Sequence, residues 1–377
     1  MSDSSYIHFE EGLNNFTFSL YRAVEKNGND FLSPFSIVSA LLLLMLGTDG
    51  TTKNQMMKSI FNDIMITDVD IGYQMLHEEL LTRAQDGVSL SIANRLFCRN
   101  TTLILQKFTS SALEHYGSEV EKLDFASQAD QSRLRINSWV AINTKNRILD
   151  ALPQGSIGTE TIMFLANAVY LKGIWQTQFD PRKTRKQNFY VGPNNQKQVN
   201  MMHSQHEAES GENLELDCKV LKLPYKGENL SMIFVLPNAG DGLLQLESQL
   251  TRTTFDNILY SVIFQETIID IPKFTFHANY KLNPTFIALG MTEIFDPTVA
   301  DFSRIVSAPS KIYVSDARHN AFIDVDEQGS EAVGGTTITT WESGQPFEFR
   351  ADHPFLFFIL DNVSGTVLFM GRYAFPL

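Results

Sequence analysis

The sequence predicts an α+β fold. Apolar residues recur at helical spacing through roughly the first 150 residues, and β-branched and aromatic runs dominate the second half. No composition break, internal repeat, long linker or low-complexity tract separates the two regions, so they read as one domain over residues 1–377.

In chain order, Phe9 to Val24 sets Phe9, Leu13, Phe16, Leu20 and Val24 along one helical face. Ser36 to Leu46 reads as an almost wholly apolar helix entered through Ser33-Pro34, proline being a normal residue at a helix start. Residues 53–61 and 68–83 read as two short helices. Arg133 to Ile148 reads as another, with Ile136, Trp139, Val140 and Asn143 on one face. Six strands follow: Thr161 to Tyr170, Ser231 to Leu236, Thr267 to Ile271, Ala321 to Val325, Phe355 to Leu360 and Thr366 to Met370. These runs are too apolar for a sheet wetted on one side and imply strands buried on both faces.

Composition narrows the function. The chain carries 43 acidic and 30 basic residues, a formal net charge of -13, and 43% hydrophobic residues. That balance suits a soluble globular protein and argues against nucleic-acid binding, which needs clustered Lys and Arg. Two cysteines, Cys98 and Cys218, make no disulfide framework and read as buried thiols in a reducing compartment. Residues 1–11 lack a basic start, an apolar run and a cleavage site, so a cytoplasmic location is expected; export without a leader is the alternative. The apolar stretch Ala40 to Leu46 is far short of the ~20 residues of a membrane span.

Catalytic signatures are missing. There is no GxSxG, HExxH, Walker loop or GxGxxG, so no enzyme and no cofactor is expected. His203 and His206 form an HxxH pair in a stretch that reads as loop, Met202 to Glu212. With no third ligand nearby they read as solvated imidazoles, not a metal site. His77, before Glu78 and Glu79, reads as part of a helix face. Met65 to Arg83 carries a single basic residue, so no heparin-type site is expected there.

One segment stands out. Residues 327–346 begin with small residues, continue with β-formers and then present Trp341. One parity holds Ser330, Ala332, Gly334, Thr336, Ile338 and Thr340, all uncharged. The other holds Glu331, Val333, Gly335, Thr337, Thr339 and Trp341. Alternate residues of a strand face opposite sides, so this segment is able to enter a sheet with its first set inward and bury no charge. On pattern alone an ordinary strand, a Gly/Thr linker and a surface loop compete with that reading.

The residues before it add a resemblance. Ala321-Phe322-Ile323-Asp324-Val325-Asp326-Glu327-Gln328-Gly329-Ser330-Glu331-Ala332 resembles the loop hinge of the serpin family. Further serpin-like stretches span nearly the whole chain. They include residues 29–37, 46–52, Ile136-Asn137-Ser138-Trp139-Val140, Asn167-Ala168-Val169-Tyr170-Leu171-Lys172-Gly173-Ile174-Trp175 and Asp270-Ile271-Pro272-Lys273-Phe274. Leu289-Gly290-Met291, His353-Pro354-Phe355-Leu356-Phe357 and Leu368-Phe369-Met370-Gly371-Arg372 complete the set. The lack of a signal peptide and the short ends resemble the intracellular, ovalbumin-like branch.

The resemblance implies a serpin fold: a large central mixed β-sheet, further sheets, about eight or nine helices, and an exposed reactive-centre loop at about 327–346. It implies a suicide-substrate inhibitor of a serine protease, trapped as an acyl-enzyme when the cut loop inserts into the main sheet. The alternatives are a non-inhibitory serpin acting as chaperone, storage or binding protein, and a cross-class inhibitor of cysteine proteases. It assigns the hinge to Glu327, Gly329, Ser330, Ala332, Gly334 and Gly335, and the small or permissive side chains from Gly329 onward suit rapid insertion. Ser33, Ser36, Asn167 and His319 match the buried shutter beneath the opening sheet, and Trp175 matches the breach where the loop enters. The family's spacing from Glu327 puts the reactive bond at Ser343–Gly344, with Trp341 as the alternative P1. No Lys or Arg lies between Gly329 and Pro346, so an elastase- or chymotrypsin-like partner is expected rather than a trypsin-like one. The resemblance also implies a monomer with a capacity for loop–sheet polymerisation.

Overall fold

The computed structural model describes residues 2–26, 28–61, 66–83, 87–192, 195–307, 311–328 and 345–376. Nine α-helices occur among them: α1 (Ser2–Ala23), α2 (Pro34–Leu46), α3 (Gly50–Phe61), α4 (Ile66–Arg83), α5 (Gln106–Tyr116), α6 (Ala129–Asn143), α7 (Leu243–Gln249), α8 (Arg252–Tyr260) and α9 (Asn283–Ala288). The strands are β1 (Asp30–Leu32), β2 (Val88–Arg99), β3 (Val120–Leu123), β4 (Met163–Gly173), β5 (Arg185–Gly192), β6 (Asn195–Asn213) and β7 (Cys218–Pro224). They continue with β8 (Leu230–Pro237), β9 (Ile263–Pro272), β10 (Phe274–Lys281), β11 (Val314–Val325), β12 (Phe347–Arg350), β13 (Phe355–Asp361) and β14 (Val367–Tyr373).

Two sheets organise these strands. Five strands run in the order β10-β11-β4-β2-β3. The other sheet has the order β1-β14-β13-β8-β7-β6-β9-β12, with β5 beside β6. In the five-stranded sheet, β11 pairs with β4 in parallel, while β10–β11 and β2–β4 are antiparallel. Parallel neighbours need a long crossover, and here all of β5 to β10 lies between β4 and β11 in sequence.

Both faces of this sheet are covered. On one side α6 contributes Ile136, Trp139 and Val140 to a cluster with Phe97, Phe164, Ala166, Ala168, Tyr170 and Phe322. On the other lies α2, whose residues from Pro34 to Met45 are all buried. A helix apolar all round belongs in a core. Its start is fixed by Ser33, whose side chain accepts the Ser36 N–H at 3.2 Å, and by Pro34 in the first turn. Double coverage explains why β4 is buried at every residue but Lys172 and reads as a continuous apolar run.

The structure corrects several expected elements. The first 150 residues are less helical than the pattern suggests, because Val88–Arg99 is the long strand β2. The helix expected to reach Ile148 ends at Asn143, where Lys145 and Asn146 take positive φ values and stop it. The stretch around His203 and His206 is the 19-residue strand β6, not a loop. The strand expected at Ala321 begins seven residues earlier, at Val314. Cys98 and Cys218 are free and buried, and burial pushes both thiols up to about 12. No helix among the described residues is long and apolar enough to cross a membrane.

Candidate functional site

The β4–β11 seam carries a buried polar cluster. Asn94 on β2, Asn167 on β4 and His319 on β11 stand level across three adjacent strands. Each is at most 8% exposed. The Asn167 amide donates to Ser36 Oγ at 2.6 Å, to the Ser36 carbonyl at 3.1 Å and to Asn94 Oδ1 at 2.5 Å. His319 Nε2 accepts the Ser33 backbone N–H at 3.1 Å. Its proton therefore sits on Nδ1, which donates to Asn167 Oδ1 across the seam. Burial holds this imidazole neutral and drives its pKa down to about 3.

The network continues on both sides. Asn94 donates to Ser39 Oγ at 2.8 Å, and Ser39 shares a hydrogen bond of 2.6 Å with Tyr73 OH on α4. Ser33 Oγ donates to the Leu368 carbonyl on β14 at 2.7 Å. Ser33, Ser36, Asn167 and His319 thus meet in one cluster. Asn94, Ser39 and Tyr73 belong to it too. Sequence does not reveal them: Asn94 lies on a strand that no expected element covers, and Ser39 and Tyr73 sit in expected helices where nothing local marks a polar partner.

At the end of the same seam the chain leaves β11 for residues 326–346. Trp175 Nε1 donates to the Asp326 carbonyl at 2.9 Å. Its indole stacks on Tyr225, with centroids 4.7 Å apart and planes 7° apart. Gly173 is required there, since a Cβ would lie 2.5 Å from the Tyr225 ring. Glu327 is held by three donors: Phe179 N–H to its carbonyl at 3.0 Å, Thr184 Oγ1 to Oε1 at 2.8 Å and Lys273 Nζ to Oε2 at 2.7 Å. Burial would raise its carboxyl, but hydrogen bonds from Lys273, from its own backbone N–H and from Thr184, with the lysine charge, hold it below the usual carboxylate value. Lys172 adds ion pairs to Asp324 at 3.8 Å and Asp326 at 3.7 Å. Trp175 and Glu327 therefore meet where the loop departs. Phe179, Thr184 and Lys273 are the partners that sequence did not reveal.

The remaining site residues, Gly329, Ser330, Ala332, Gly334, Gly335, Trp341, Ser343 and Gly344, lie outside the described residues. His203 and His206 do not form a pair. Three positions apart on a strand, they face opposite sides, His203 bonding Asp270 at 2.8 Å and His206 bonding Ser204 at 2.9 Å. Among the described residues no group of three or more His, Cys, Asp or Glu is placed to hold a metal.

Comparison with known proteins follows the same lines. A family model described as Serpin (serine protease inhibitor) matches residues 11–376. Serpin B3 of Homo sapiens is 35% identical over 382 residues, with 96% of this chain and 97% of the relative covered. Leukocyte elastase inhibitor is 35% identical over 372 residues in Homo sapiens and 34% over 369 in Xenopus tropicalis, with the same coverage. The crystal structure of uncleaved ovalbumin superposes with a TM-score of 0.89 at 29% identity, over 98% of this chain and 100% of that one.

Two outcomes are expected of the cluster. Asn167→Ala removes the donor to Ser36 and Asn94 and the acceptor for His319. With unpaired buried groups costing about 1–3 kcal/mol each, the variant should lose at least about 2 kcal/mol in urea unfolding. A loss below about 0.5 kcal/mol, the size of a surface substitution, would show that the network is not structural. The second concerns pH. His319 titrates near 3 when folded and near 6.5 when unfolded. Its contribution is therefore complete above about 6.5 and is lost as pH falls toward 3, because only the unfolded chain takes up the proton. From pH 7 to pH 5 the loss is about 2 kcal/mol, and His319→Gln should remove that slope. Equal pH dependence in both proteins would contradict the assignment.

Proposed function

The chain belongs to the serpin family, and from that premise we propose that it inhibits a serine protease by offering residues 329–344 as a substrate and then inserting them between β4 and β11. The observation that carries this reading is the parallel β4–β11 pair, whose second strand runs directly into the loop. A segment turning back from the end of β11 runs antiparallel to both neighbours. Insertion replaces one parallel ladder with two antiparallel ones, and antiparallel pairing is somewhat the more stable per residue. Both faces of the gap are covered, by the α6 cluster and by α2. The uncharged inward parity of Ser330, Ala332, Gly334, Thr336, Ile338 and Thr340 suits such a place.

The chemistry belongs to the protease. Its serine oxygen attacks the carbonyl of the P1 residue, and the peptide nitrogen of the next residue leaves with a proton from the protease histidine. An ester joins the two proteins. Insertion along the 11 residues of β4 carries that ester roughly 36 Å, at about 3.3 Å per residue. A protease dragged that far is pressed against the body of the serpin, and distortion of its site stops water completing hydrolysis. The chain supplies no catalytic group of its own.

The preferred P1 is Ser343, with Trp341 as the alternative, and no Lys or Arg lies between Gly329 and Pro346. This supports an elastase-like target, or a chymotrypsin-like one if the bond after Trp341 is cut. The relatives named leukocyte elastase inhibitor support the same direction.

Mixing the chain with pancreatic elastase and with chymotrypsin should give an adduct that survives SDS with at least one of them. Mass spectrometry of the released C-terminal peptide should place its start at Gly344 or Glu342. Ser330→Arg, by forcing a charge into the sheet, should convert the chain into a substrate that is cut without adduct. If the wild-type loop is merely cut and the protease stays active, the chain is a non-inhibitory serpin. An arginine variant that traps protease as fast as wild type would overturn the insertion step.

A further inference from the structure

His353 stands in one of the stretches that sequence singled out, yet the proposed function makes no use of it. It lies between β12 and β13, and its side chain is 13% exposed. Nδ1 is 2.7 Å from Asp352 Oδ1, and Nε2 is 2.6 Å from the Pro237 carbonyl at the end of β8. A carbonyl only accepts hydrogen bonds, and so does an ionised carboxylate. A neutral imidazole carries one N–H and satisfies one of them, whereas the imidazolium satisfies both.

The segment that this histidine ties down has few other attachments. β12 has four residues, ends its sheet and pairs only with β9. Arg350 is 55% exposed and lies 3.6 Å from Asp270. Beyond β12, the Ala351 N–H meets the Asp270 carbonyl at 2.9 Å, and the Tyr190 N–H of β5 meets the Asp352 carbonyl at 2.7 Å. The charged groups facing the imidazole are Asp352 beside it, Lys219 of β7, and Glu348 and Arg350 of β12, around a cavity of about 260 Å³. Lys219 Nζ donates to the Glu348 carbonyl at 3.0 Å. β8 and the turn after it offer the Pro237 carbonyl and Asn238, whose amide is bonded to Asp217 at 2.8 Å.

We propose that His353 is a proton-operated clamp, which keeps β12 docked in its sheet while protonated and loosens it on losing its proton. Deprotonation turns a nitrogen lone pair toward Asp352 or Pro237, so one of the two bonds gives way to repulsion. Burial alone would lower the pKa of this imidazole, but the bonds to Asp352 and Pro237 and the Asp352 charge raise it above the usual histidine value, against the charge of Lys219. The clamp is therefore complete below about pH 6.5 and is lost as pH rises through the higher folded value. Because β12 follows residues 329–344 in sequence after two residues, the clamp sets how firmly the downstream end of that segment is fixed. None of this depends on whether the chain inhibits a protease.

Hydrogen exchange of the full chain, read by mass spectrometry at about pH 6 and about pH 8.5 and corrected for the intrinsic rate, tests the clamp. Protection over residues 347–352 should fall at least about fivefold at the higher pH, while β13 changes less than about twofold. His353→Gln, which has no titrating proton, should leave β12 weakly protected at both pH values. Asp352→Asn can donate its amide N–H to the neutral imidazole and should hold β12 equally at both. Circular dichroism establishes that the variants are folded. Wild-type protection that ignores pH, or a fall shared equally by β13, would overturn the clamp. So would a glutamine variant as protected as wild type at pH 6, or either variant keeping the wild-type pH dependence.

Discussion

The structure turns on the seam where β4 and β11 lie side by side in parallel. Its backbone ladder runs from Met163 to Leu171 against Val314 to Ile323. Side-chain bonds from His319 to Asn167 Oδ1 and from Asn320 Nδ2 to the Asn167 carbonyl, the latter at 3.4 Å, cross it in the buried middle. Tyr170 and Phe322 stack across it near its upper end, centroids 5.5 Å apart, with Arg147 placed over the Phe322 ring. In the function proposed above, insertion of residues 329–344 would open this seam. The loop begins where β11 ends, α6 lies over the sheet, and Glu327 is anchored at its mouth.

A polar seam inside an apolar core has a physical logic. Interdigitated aliphatic side chains would bind β4 to β11 through many small contacts with no discrete state in which they part. A few directional hydrogen bonds are strong while made and leave identifiable groups when broken. Ser33, Ser36, Asn94, Asn167 and His319 form such a set, with contributions from α2, β2, β4 and β11. The neutral His319 fits this design, because one nitrogen accepts from the chain before α2 while the other donates across the seam. The serpin family uses this metastable fold for its conformational change.

Sequence revealed the strands at the seam because burial on both faces writes them as apolar runs, as in Met163–Gly173. It concealed β2, where Ser89, Ser91 and Asn94 interrupt the apolar pattern on a strand that is half-covered. It concealed β6, whose solvent face carries Gln205 and Glu207 and so resembles a loop. Residues of the cluster were legible only through resemblance, since a serine or asparagine in an apolar run carries no sign of its partner. Likewise Glu327 meets Lys273 and Thr184 from 54 and 143 positions away, pairings that local pattern does not encode.

The central claim is that the intact chain stores free energy which loop insertion releases, and calorimetry of intact and loop-cleaved protein tests it most directly. An added strand of some ten hydrogen bonds, at roughly 1 kcal/mol each, should raise the melting temperature by about 10 °C or more in a chain of this length. A cleaved form that melts no higher than the intact one would contradict the claim.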